Sequence, residues 1–120
     1  MPFRRILDEL LTSFDGAIAA MFLDYEGEMV ELLSVHELDA YDLKIIGAYQ
    51  GIFLSQLRVM CTHLEIGTPQ RFKVQFVRTT VLSCDLKDGY FLVLLVGTLA
   101  NEGLAWHHLD HCRQKLLAEM

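Results

Sequence analysis

The segment from Asp39 to Leu64, DAYDLKIIGAYQGIFLSQLRVMCTHL, predicts one long helix. Asp39 is a favourable N-cap residue, and Asp42 stands three positions later in an aspartate variant of the capping box. Gly67 and Pro69 follow the helix and predict its end. A helix that covers a sheet needs only one apolar stripe, but this segment is apolar on more than one face. The long helix is therefore expected to contact more than its own sheet.

Small residues recur along this helix at i, i+4 and i+8, as Gly47, Gly51 and Ser55. A row of small side chains allows another backbone to approach closely. The row predicts either a helix–helix contact with a second chain or a close approach to the chain's own sheet. The sequence leaves both alternatives open.

The segments on both sides of the long helix predict antiparallel strands. RFKVQFV alternates strictly between apolar and polar residues, which is typical of a half-exposed strand. YFLVLLVG is continuously apolar, as expected for a central strand that is covered on both faces. The predicted strands are 17–25, 28–35, 71–77, 81–86 and 90–97.

Two further helices lie at the ends of the chain. Phe3–Phe14 follows the i, i+3, i+4, i+7 pattern, and Asn101 is a favourable N-cap for a helix over Glu102–Glu119. The order helix, two strands, helix, three strands, helix predicts a single α+β domain over residues 1–120.

Composition excludes several classes of function. The net charge of −6 works against binding to nucleic-acid phosphates. The longest apolar run is too short to span a membrane as a helix, which needs about 20 residues. Three cysteines without CxxC spacing argue against a disulfide framework and favour a cytoplasmic location. The hydrophobic content of 52% is high for a monomer of this size, so part of the apolar surface is expected in a subunit interface.

A cluster in the last helix, AWHHLDHCRQ, is the candidate metal site. His107 and His111 form one i, i+4 pair, and His108 and Cys112 form another, rotated by about a third of a turn. One straight helix cannot easily direct both pairs at one ion, and no HExxH or CxxC motif supplies further ligands. The preferred interpretation is outward histidines beside an inward stripe of four residues: Ala105, Leu109, Cys112 and Leu116.

No motif of an enzyme is found. The chain lacks the GxxxxGK[ST] loop of nucleotide hydrolases and the GxSxG nucleophile motif. Nothing marks Cys61 or Cys84 as an activated thiolate. The sequence therefore predicts neither catalysis nor a cofactor.

With these elements in order, the chain resembles the roadblock/dynein light-chain family. The resemblance rests on FDGAIAAMFLDYEGEMVEL, IIGAYQG, LKDGYFLVLLV and NEGL, which together span nearly the whole chain. It implies a five-stranded antiparallel sheet with the long helix on one face and the terminal helices on the other. It also implies dimerisation through the long helix and the third strand, over 71–78. The expected interface residues are Gly47, Gly51, Ser55, Arg71, Phe72, Val74 and Phe76.

The resemblance also implies a function. The resemblance implies a regulator or scaffold of small Ras-like GTPases, as in prokaryotic members of the family. The expected partners are therefore a second copy of this chain and a GTPase of that kind. Four basic residues could contact a partner: Arg58, Arg71, Lys73 and Arg78. Two alternatives are a ligand-sensing or assembly module of the profilin or PAS type, and a metal-responsive regulator that uses the histidine cluster.

Overall fold

The computed structural model describes residues 2–36 and 38–120, so Met1 and Glu37 lie outside the described residues. It contains the three helices and five strands that the sequence predicts, in the predicted order. In chain order they are α1 (Pro2–Thr12), β1 (Ala17–Leu23), β2 (Met29–Ser34), α2 (Ala40–Leu64), β3 (Arg71–Gln75), β4 (Thr79–Asp85), β5 (Phe91–Gly97) and α3 (Glu102–Glu119).

All five strands form one antiparallel sheet in the order β2-β1-β5-β4-β3. The continuously apolar strand β5 is central, as predicted, and every residue from Phe91 to Val96 is buried. β2 and β3 are the two edges of the sheet. Because β3 has only β4 as a neighbour, its other side is open to a partner strand.

Helices cover both faces of the sheet, which confirms the expected architecture. Successive side chains of a strand point to opposite faces. On one face, Phe22 and Leu92 pack with α1 and α3, through residues such as Leu7 and Leu109. On the other face, the sheet packs against Leu43, Leu54 and other residues of α2. The two cores share the sheet and use alternate residues of the same strands.

The predicted caps of the later helices are confirmed. The Asp39 carboxylate accepts a hydrogen bond from the backbone N–H of Tyr41 at 2.9 Å, and α2 ends at Leu64 as expected. The Asn101 side chain accepts from the backbone N–H of Leu104 at 3.0 Å. None of the helices within residues 2–36 and 38–120 is long and apolar enough to cross a membrane.

Several predicted ends are wrong. β1 ends at Leu23 instead of residue 25, and β4 begins at Thr79 instead of residue 81. α1 ends at Thr12 instead of Phe14, because the backbone N–H of Ser13 donates to the Leu10 carbonyl and closes the last turn. β3 ends at Gln75 instead of continuing to residues 77–78. There the backbone N–H of Phe76 donates to the Thr79 carbonyl at 2.8 Å, and the chain turns back into β4.

Candidate protein-binding surface

The outward face of α2 is apolar, in agreement with the second apolar face predicted from the sequence. Its large side chains are between 38% and 69% exposed. Their spacing along a helix of 3.6 residues per turn places them roughly opposite the buried Leu43, Leu54 and Cys61. We call this set the outer stripe: Tyr41, Ile45, Tyr49, Ile52, Val59 and Met60.

An apolar groove of about 420 Å³ adjoins the outer stripe. Ile46 and Phe53 form its helix side, while Phe76, Val81 and Leu95 form its strand side. Ile45 and Tyr49 belong to both the groove and the outer stripe, so the two features form one continuous apolar surface. The sequence does not predict this groove, because its walls come from segments that are distant in sequence.

The edge strand β3 lies beside the groove. Phe72 and Val74 are half-buried, and Phe72 packs on the α2 face, while Phe76 is 54% exposed and lines the groove. Arg71 and Lys73 point to the α3 face. An apolar helix surface and an open strand edge therefore lie next to each other. Both features are typical of surfaces that bind another protein.

Two of the three small residues in the row on α2 lie against the chain's own sheet. Gly47 is buried, and a Cβ atom there would lie 2.6 Å from Cδ2 of Leu23 in β1. A Cβ on Gly51 would lie 3.3 Å from Cζ of Phe91. Both glycines therefore bring α2 close to its own sheet, which is one of the two alternatives that the sequence left open. Their role in a dimer interface stays a prediction. Ser55 is exposed.

Three of the four basic candidates have partners within the chain. Arg58 donates to the Asp85 carboxylate at 2.8 Å. Lys73 donates to the Glu102 carboxylate at 2.7 Å. The Arg71 guanidinium lies 4.6 Å from the centre of the Trp106 ring, in a cation–π contact.

The ion pair of Lys73 also affects its acidic partner. The hydrogen bond from Lys73 holds the pKa of Glu102 below its usual value, and the indole N–H of Trp106 adds a second donor. Lys73 and Arg71 thus tie β3 to the beginning of α3.

Arg78 differs from these three residues. Within residues 2–36 and 38–120 it forms no ion pair or side-chain hydrogen bond, and it lines the apolar groove. It is the basic candidate that remains available to a partner.

The residues of the histidine cluster are divided between the packed and the exposed sides of α3. Ala105, Leu109, Cys112 and Leu116 are buried, as predicted. His107 and His111 are exposed, and the His108 ring stacks on Phe14 with centroids 5.5 Å apart.

The thiol of this cluster is buried. Burial raises the pKa of Cys112 to about 12, so the neutral form predominates at neutral pH. Among the residues that the structure describes, no group of three or more His, Cys, Asp or Glu side chains is arranged to hold a metal.

A buried polar pair joins α2 and β4, and it was not predicted from the sequence. The Ser83 hydroxyl donates to Oε1 of Gln50 at 3.0 Å, and both residues are buried. The available signal was the position of Gln50 between Leu43 and Leu54, on the inward side of α2. This hydrogen bond satisfies the Ser83 hydroxyl and Oε1 of Gln50, which lie between helix and sheet.

Comparison with known proteins agrees with this architecture. No family model matches the chain, and no curated protein matches it in sequence. The Roadblock/LC7 domain from Streptomyces avermitilis superposes with a TM-score of 0.83 at 16% identity, covering 93% of this chain and 92% of that one. The gliding protein MglB from Thermus thermophilus gives 0.86 at 16% identity, covering 98% and 87%. MglC from Myxococcus xanthus gives 0.70 at 26% identity over the full length of both chains.

Proposed function

We propose that this chain, which has the roadblock fold, is a non-catalytic regulator or scaffold that forms a homodimer and binds a small Ras-like GTPase in the cytoplasm. The observation that supports the proposal best is the continuous surface of the outer stripe, the groove and the open edge of β3. Such a surface suits protein partners, because it is large, apolar and bordered by unpaired backbone groups.

Self-association accounts for the two features that are costly in a monomer. Exposed apolar side chains of α2 would be removed from water in a dimer, which is favourable by about 25 cal/mol per Å². An unpaired strand edge is prone to uncontrolled pairing, and a second β3 would occupy it. Antiparallel pairing of two such edges would extend the sheet of one protomer into that of its partner.

The GTPase partner is inferred from the roadblock resemblance. A non-catalytic partner can accelerate GTP hydrolysis by ordering the GTPase's own catalytic groups. Arg78 at the groove is a positive charge that has no ion-pair partner among the described residues, and it suits a carboxylate on the GTPase surface.

A nucleotide-dependent binding experiment tests the GTPase part of the proposal. The untagged protein is coupled to a resin and incubated with lysate of its native cell, once with a non-hydrolysable GTP analogue and once with GDP. We expect a small GTPase, identified by mass spectrometry, to be retained with the analogue and not with GDP. Hydrolysis by the purified GTPase is then measured with and without this protein.

A matched pair of arginine variants links the result to the surface. Arg78→Ala is expected to weaken GTPase retention while the protein still sediments as a dimer, whereas Arg5→Ala, which changes an exposed arginine on α1 at the other face of the sheet, is expected to leave retention unchanged. If no protein is retained in a nucleotide-dependent way, the GTPase proposal fails. Native mass spectrometry and elemental analysis of the purified protein would then test the ligand-sensing and metal-responsive alternatives.

A further inference from the structure

We infer that two copies of this chain pair their β3 strands about Val74, so that Val74 faces Val74 of the partner subunit across the dimer axis. This inference rests on the proposed homodimer and adds the register of its sheet. Three properties of β3 lead to it: the direction of its backbone groups, the charges on one face and the apolar side chains on the other.

The hydrogen bonds between β3 and β4 determine which backbone groups are free. Bonds from Asp85 N–H to the Gln70 carbonyl and from Phe76 N–H to the Thr79 carbonyl close the two ends of the ladder. Bonded and non-bonded positions alternate in an antiparallel pair, so Phe72 and Val74 also point their backbone groups towards β4. The backbone N–H and C=O groups of the three intervening residues point to the open edge: Arg71, Lys73 and Gln75.

A symmetric antiparallel pair must place these outward-directed residues opposite one another. The dimer axis can therefore pass by Phe72, Lys73, Val74 or Gln75, and each choice is a different register. An axis at Lys73 places Lys73 directly opposite its own copy, and an axis at Phe72 places Arg71 opposite the partner's Lys73. Like charges directly opposite each other destabilise a strand pair. An axis at Val74 places Lys73 opposite the partner's Gln75 and avoids both repulsions.

The apolar face of β3 favours the same register independently. With the axis at Val74, Phe72 lies opposite the partner's Phe76 and Val74 lies opposite its own copy. With the axis at Lys73, Phe76 would lie opposite the partner's Gln70. A shift of the axis to Gln75 would place Phe72 opposite the partner's Arg78. Only the Val74 register gives every apolar residue of this face an apolar partner, and such pairs stabilise a sheet.

Disulfide trapping distinguishes these registers. At a non-bonded antiparallel pair the Cα atoms are about 4.5 Å apart, which is within the range of a disulfide. We expect Val74→Cys to form a covalent dimer under mild oxidation. In the same register two copies of Lys73→Cys would be about 8 Å apart, beyond that range, so its yield should be about tenfold lower. The three native cysteines are buried, so the wild-type protein serves as the background control.

A mixing experiment adds a second readout. Phe72→Cys and Phe76→Cys are each expected to give little covalent dimer alone, and to cross-link when mixed, because these positions face each other in the proposed register. Circular dichroism confirms that each variant is folded, and sedimentation measures whether it is dimeric.

Each other outcome overturns the inference in a recognisable way. Efficient cross-linking of Lys73→Cys without Val74→Cys would place the axis at Lys73, and cross-linking of Phe72→Cys alone would place it at Phe72. If folded dimers give no cross-link at any of these positions, β3 is not the shared edge, although the homodimer stands. If the wild-type protein sediments as a monomer at micromolar concentration, the homodimer proposal itself fails.

Discussion

Replacing Tyr49 by alanine tests the outer stripe and groove as a dimer contact. Tyr49 lies on α2 at the position shared by both features, and it is 56% exposed in one protomer. Its closest aromatic neighbour is Phe53, with ring centroids 6.4 Å apart. The substitution therefore removes little from the core of the protomer, and alanine has a high helix propensity.

The expected effect follows from the exposed area. Because a tyrosine offers roughly 150–250 Å² for burial, a partner would cover on the order of 100 Å² at Tyr49. At about 25 cal/mol per Å², that area is worth about 2.5 kcal/mol in each protomer. A symmetric dimer contains the contact twice, and allowing for partial coverage we expect a loss of about 3–4 kcal/mol. The dimer dissociation constant should rise by a factor of roughly 100 to 1,000.

Analytical ultracentrifugation over a wide concentration range measures this change directly. Tyr25→Ala is the matched control, since Tyr25 is 64% exposed but lies beside Gly51 and Ser55, on the other flank of α2 from the groove. We expect the Tyr25 variant to keep the wild-type dissociation constant. Thermal unfolding followed by circular dichroism verifies that both variants remain folded.

Two results would refute the reasoning. An unchanged dissociation constant for a folded Tyr49→Ala dimer would mean that the groove side of α2 is not buried on association. An equal loss in both variants would mean that the contact extends over both flanks of α2 and is not specific to the groove side.

Three further predictions concern the stability of the protomer, and urea unfolding measures each. Gly47→Ala should lower the free energy of unfolding by about 1 kcal/mol. Overpacking against β1 costs about 1–3 kcal/mol, and the higher helix propensity of alanine offsets roughly 1 kcal/mol of that cost. Ser83→Ala should cost about 1–3 kcal/mol, since it leaves Oε1 of Gln50 buried without its donor, and the double variant with Gln50→Leu should recover part of that loss. Burial raises the pKa of Cys112 from 9.0 to about 12, so the unfolded chain loses this proton first. The contribution of this thiol to the free energy of unfolding is therefore fully present below about pH 9 and is lost as the pH rises towards 12. In Cys112→Ala the free energy of unfolding should depend less strongly on pH in this range.

Each of these predictions has a clear contrary result. A stable Gly47→Ala protomer with a weakened dimer would mean that the glycines contact the α2 helix of the partner subunit. Equal stability of the Ser83→Ala and wild-type proteins would mean that water replaces the lost donor. A pH dependence between 9 and 12 that is unchanged in Cys112→Ala would assign it to other groups.

Much of the fold could be predicted because local patterns and global packing agree. The strict period of two in RFKVQFV, the continuous apolar run of β5 and the caps at Asp39 and Asn101 each specify one local conformation. The inward stripe of α3 was also predicted correctly, because a helix presents every third or fourth residue to the same side.

The candidate surface was predicted only in part. Surplus apolar residues on α2 and the half-exposed pattern of β3 were visible in the sequence, but the groove between them was not. The sequence did not decide which neighbour Gly47 approaches, because a small residue permits close approach without specifying the neighbour. The internal partners of Arg58, Arg71 and Lys73 were likewise unpredicted, since each pair joins residues from separate elements.

The sequence by itself determined the elements, their order and the two-sided apolarity of α2, because these depend on periodicity and capping within short segments. Only the tertiary structure decided which face of α2 holds Gly47 against the sheet, that Arg78 lines the groove and that β3 has an open edge. Those properties depend on which distant segments come into contact. Side-chain period specifies a face, but only the packing of elements specifies what that face meets.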